Sequence, residues 1–81
     1  MEIRQLKYFL MVTETLNFST ASRRLFISQS NLSQQISQLE QEVGQPLFER
    51  NSHEVHLTEA GREFAPAARK AIDSVTECME H

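Results

Sequence analysis

The first sixteen positions place Ile3, Leu6, Phe9, Leu10 and Thr13 at three- and four-residue steps, which is one face of a helix over about Ile3–Leu16. Asn17 suits the end of that helix, because Asn tolerates left-handed backbone. Ser19 suits the N-cap of a short second helix, about Thr20–Phe26, with Ala21 and Leu25 on one side and Phe18 just ahead of the cap. A third helix, about Gln29–Val43, follows a Ser28 cap and stops at Gly44. On a wheel of about 100° per residue, Leu32, Ile36, Leu39 and Val43 form a narrow apolar stripe. Ser30, Gln34, Ser37 and Gln41 fall opposite it, flanked by Ser33 and Gln38. This helix is therefore expected to bury one edge and present an uncharged, hydrogen-bonding one.

The period changes after Gly44. Pro46 breaks helix, and Val55 and Leu57 alternate with polar neighbours. Asn51-Ser52-His53-Glu54 supplies turn chemistry, so a small hairpin of about Leu47–Arg50 and Val55–Leu57 is expected. Thr58 then caps a last helix, about Glu59–His81, whose stripe is Phe64, Ala68, Ile72 (or Ala71), Val75 and Met79 (or Cys78) at near-heptad spacing. Pro66 lies within it and is expected to kink it near Arg62. About 22 helical residues span roughly 33 Å, too long to pack wholly on so small a domain, so the stripe is expected to seat a partner helix. The pattern still runs at His81, as in a piece excised from a longer chain.

Composition bounds what such a chain can be. At 81 residues it is one domain at most, and 40% hydrophobic against 23% charged residues is the balance of a folded chain. It has no apolar run long enough to cross a bilayer and no secretory pattern, which points to the cytoplasm. Cys78 alone cannot form an internal disulfide. The formal net charge of −3 argues at first against a polyanionic partner. Resolved along the chain, however, the window Thr15–Leu39 holds Arg23 and Arg24 and no acid, while the carboxylates gather from Glu40 onward. A polyanion could approach that window freely.

Two helices joined by a tight Ile27-Ser28 turn, the second with a polar outer face, match a helix-turn-helix, and the hairpin makes it winged. The fold class expected is mainly α: a three-helix core, a β-hairpin wing and a long linker helix, with residues 1–58 as the domain and 59–81 as the dimerisation helix. The major groove of DNA admits one helix, and Gln and Asn can pair with adenine through two hydrogen bonds. The run LNFSTASRRLFISQSNLSQQISQLEQEVGQPLFER, then LTEAG, with IRQLKYFLMV before them, resembles the N-terminal domain of LysR-type transcriptional regulators over essentially the whole chain. The resemblance implies a homodimer through antiparallel linker helices and a pseudo-palindromic double-stranded DNA operator. It also implies a small-molecule effector, bound by a C-terminal domain that this chain does not contain.

Carried over residue by residue, the resemblance puts Gln29, Ser30, Ser33 and Gln34 at base edges. It puts Arg50, Ser52 and His53 on the wing, against backbone or minor groove. Ser28, Asn31, Ser37 and Arg23 are further candidates for backbone contact, and Phe64, Ala68, Ile72, Val75 and Met79 form the dimer seam. Ser30 stands where the family often has Pro, Gln34 where it often has Arg, and His53 where Arg is common. The Gln34 departure removes a natural guanine reader. His53 and His56 lack a third ligand, so neither metal nor cofactor is expected. With no Gly-x-Ser-x-Gly elbow and no phosphate loop, an enzyme is not expected. The competing reading is a protein-interaction module that dimerises through 59–81 without binding DNA.

Overall fold

The computed structural model describes residues 1–80. Helices α1 (Ile3–Thr15), α2 (Phe18–Leu25) and α3 (Gln29–Val43) are followed by strands β1 (Phe48–Arg50) and β2 (Val55–Leu57) and by α4 (Glu59–Met79). The strands form a two-stranded antiparallel sheet in the register Phe48↔Leu57, Glu49↔His56, Arg50↔Val55. The fold is the mainly α, winged helix-turn-helix architecture expected.

The third helix matches its expected bounds. Ser28 Oγ accepts from Asn31 N at 3.1 Å, and Gly44 takes the left-handed conformation at φ 86°. Leu32, Ile36 and Leu39 are fully buried, so the polar edge opposite them is left to solvent. The junction between the first two helices differs from expectation. Leu16, not Asn17, takes the left-handed conformation. Asn17 is the N-cap of α2 in place of Ser19, its Oδ1 accepting from Thr20 N at 2.9 Å. An Asn carbonyl two bonds from Cα reaches the free amides as well as a Ser hydroxyl does. Phe18 thereby enters the helix and is buried rather than preceding the cap. At the other end Phe26 is left-handed and falls outside α2.

A chain of aromatic contacts ties the elements together. Phe9 of α1 meets Phe64 of α4 edge-on at 5.2 Å and Phe48 of β1 at 5.3 Å, and Phe48 meets Phe18 of α2 at 5.9 Å. Gln5 is buried on α1, and its Nε2 donates to Gln35 and Gln38 of α3 at 3.2 and 3.4 Å, which satisfies an amide that would otherwise be costly inside. Leu47 is fully buried but lies ahead of β1, so the strand is one residue shorter than expected. Thr58 caps α4 through Gly61 N at 3.0 Å and also donates to the Pro46 carbonyl at 2.7 Å. Gly61 lies so close to the Leu47 carbonyl that a Cβ there would overlap it.

The last helix passes through Pro66 as one continuous element. Its apolar stripe divides. Phe64 and Ala68, with Ala65, Ala71 and Ile72, pack on the domain's own core, while Val75 and Met79 are exposed, Met79 by 81%. Within the chain the first half of the stripe is thus partly taken up by the domain's own core, with Ala68 buried and Phe64 and Ile72 partly covered. The end of the expected helix at His81 lies outside the described residues.

Candidate nucleic-acid interface

The polar edge of α3 begins at its N-terminus, where Ser28 uses its hydroxyl on the helix end and Gln29, Ser30, Asn31 and Gln34 are exposed. Ser37 is exposed one turn further along the same edge. Ser33 is half-covered because Arg50 comes across from the wing: its Nη1 donates to Ser33 Oγ at 3.4 Å. The Arg50 guanidinium also lies over the Phe18 ring, 3.9 Å from its centroid. A cation on an aromatic face gains about 0.5–1 kcal/mol at an exposed site and, more to the point here, is held in one orientation. Phe18 reaches this position because Asn17 starts α2 one residue before it.

An open cleft of about 260 Å³ results between the start of α2, the start of α3 and the wing, and it brings Gln29, Ser33, Arg50, Ser52 and His53 together. Asn17, Phe18, Ser19 and Asn51 also line it, though the sequence reading gives them only helix-end and turn roles. Asn51 was legible as a turn residue. Its Oδ1 accepts from His53 N at 2.9 Å and Glu54 N at 2.7 Å, which folds the wing tip and presents Ser52 and His53 outward. Phe18 was legible only as an apolar residue, since its ring serves the cleft through tertiary packing.

Ser28, Ser30, Asn31, Gln34, Ser37 and Arg23 lie outside the cleft lining. The two arginines of α2 differ. Among the described residues Arg23 meets no carboxylate within salt-bridge distance, and it reaches back to Ser19 Oγ at 2.9 Å and Thr20 Oγ1 at 3.4 Å. Arg24 pairs with Glu14 at 3.8 Å. One acid does approach the cleft: Glu54, whose Oε2 lies 2.8 Å from His56 Nε2. Among the described residues no three His, Cys, Asp or Glu side chains converge as a metal site would require. No described helix is long and apolar enough to cross a membrane.

The arrangement offers a helix edge rich in neutral donors and acceptors, a cation locked beside it and a flanking turn of small polar residues. Comparison with known proteins points the same way. Residues 3–62 match the family described as "Bacterial regulatory helix-turn-helix protein, lysR family". The chain is 50% identical over 80 residues to the HTH-type transcriptional regulator ShiR of Corynebacterium glutamicum (strain R), covering 99% of this chain and 27% of that protein. Among solved structures it is similar to a CbnR_DBD–DNA complex (TM-score 0.96, 38% identity, 99% of this chain and 92% of that one). It is also similar to the BenM_DBD/catB site 1 DNA complex (TM-score 0.93, 40% identity, 99% and 90%). The chain spans between a quarter and a third of the length of the curated relatives it matches first.

Proposed function

The chain belongs to the lysR family of bacterial regulatory helix-turn-helix proteins, and on that premise we propose that it binds double-stranded DNA sequence-specifically as the reading domain of a dimeric transcriptional regulator. The observation that carries this reading is the exposed polar edge of α3 with Arg50 fixed beside Ser33. The start of α3 enters the major groove. Gln29, Ser30, Ser33 and Gln34 meet base edges, and Arg50, Ser52 and His53 meet the adjacent backbone or minor groove. Ser28, Asn31, Ser37 and Arg23 contact phosphates, the neutral ones through hydrogen bonds that position without reading sequence. Residues 1–58 form this reading unit, and 59–81 connect it to a second copy. The solved DNA complexes of similar domains support the reading.

The protein acts in the cytoplasm as a regulator and not as an enzyme, and a small-molecule effector acts through a domain beyond this chain. The alternative, a protein-interaction module, gives no use to the Arg50–Phe18 platform. Competition binding of a duplex selected from random-sequence DNA, against its scrambled version, tests the reading. Ser33→Ala and Gln34→Ala should each lose discrimination worth about 1–3 kcal/mol per base contact. If both variants discriminate as well as the parent, α3 does not read bases through this edge.

A further inference from the structure

We infer that Glu40 is a positioning residue for DNA binding: it fixes the root of the wing to the reading helix and so sets where Arg50 meets the backbone. This rests on the DNA-binding reading above. Glu40 lies on α3, about two turns beyond Ser33, and its Oε2 accepts from both Leu47 N at 2.7 Å and Phe48 N at 3.2 Å. Leu47 is fully buried, so its amide has to be paired inside the protein, and its carbonyl is taken by Thr58 N at 3.0 Å. The wing that starts here has only three residues per strand. A two-stranded hairpin of that size is marginal by itself and takes its orientation from what anchors it.

Two anchors join it to α3. At its root is the Glu40 carboxylate on two amides, a charge-assisted arrangement stronger than neutral hydrogen bonds. Two residues beyond Phe48, Arg50 reaches Ser33 near the other end of the helix. Together they fix the wing's inclination along α3 at two separated points. Without the root anchor, the span between bases read by α3 and backbone gripped by Arg50 would no longer be set.

The test compares parent, Glu40→Ala and Glu40→Gln on a duplex selected by the parent from random-sequence DNA, with thermal melts as a record of folding. In Glu40→Ala, preference for the selected over the scrambled duplex should persist. The salt slope of log affinity should fall by about one, as for the loss of one cationic contact, and hydroxyl-radical protection should vanish on the flank beside the reading site. Glu40→Gln, which keeps an acceptor oxygen, should restore most of that protection. A folded Glu40→Ala with the parent's slope and flank protection overturns the proposal, whatever its melting temperature. If Glu40→Ala does not fold, Glu40→Met, which fills the space but carries no acceptor oxygen, takes its place: lost flank protection supports the role, and parental protection overturns it. A parent that selects no sequence defeats the DNA-binding reading itself.

Discussion

Phe26 holds left-handed backbone at φ 59° with 94% of its surface exposed. Such a conformation costs an L-residue other than Gly or Asn roughly 1–2 kcal/mol, and an exposed ring recovers none of it by burial. Phe26→Asn should therefore stabilise the chain by about 1 kcal/mol, read as a higher urea midpoint at unchanged slope. A lower midpoint would mean the ring makes a contact its exposure hides. The same scale decides the cleft. Ser19 was expected to cap α2, yet its hydroxyl accepts from Arg23, and Asn17 does the capping. Both residue types cap well, and only the burial of Phe18 selects between them.

Among the elements, α3 was the most legible because every local signal agreed: a Ser cap, a four-residue apolar stripe and a terminal Gly. The wing was legible in type but one residue long at its start, because a fully buried Leu47 reads like a strand residue whether or not it pairs. The join from wing to α4 depends on close approach. Thr58 clips the Pro46 carbonyl, and Gly61 lets the first turn of α4 pass against the Leu47 backbone. Gly61→Ala should destabilise by about 1–3 kcal/mol, since the nearest atom is backbone and cannot rotate away. Denaturant unfolding of that variant checks this, and a change within error would mean the helix can shift without loss.

Over the whole molecule, the longest extent is 44 Å against 27 and 19 Å in the other directions. The exposed end of α4, with Val75 at 38% and Met79 at 81%, is the part of the stripe that intramolecular packing leaves available to a second copy. Val75→Asp should convert dimer to monomer in sedimentation while leaving the helical circular dichroism intact, because Val75 contributes nothing to the buried core. A dimer unchanged in concentration dependence would place the seam elsewhere. The formal charge of −3 also reads differently at this scale. The polar edge of α3 remains free of acid from Gln29 to Leu39, but Glu54 of the wing reaches the cleft, a neighbour that segment-by-segment charge did not reveal.

The sequence by itself determined the elements and the edge of α3 that faces outward, because both follow from local periodicity and capping. It also carried the family resemblance, since the matching residues are contiguous. Tertiary structure alone decided which half of the α4 stripe is covered, because that depends on Phe9 standing where Phe64 arrives. It alone stacked Arg50 on Phe18 and placed the Glu40 carboxylate on the root of the wing. Those contacts join residues far apart in the chain, and no spacing along a helix or strand encodes a distance that is closed only when the elements pack.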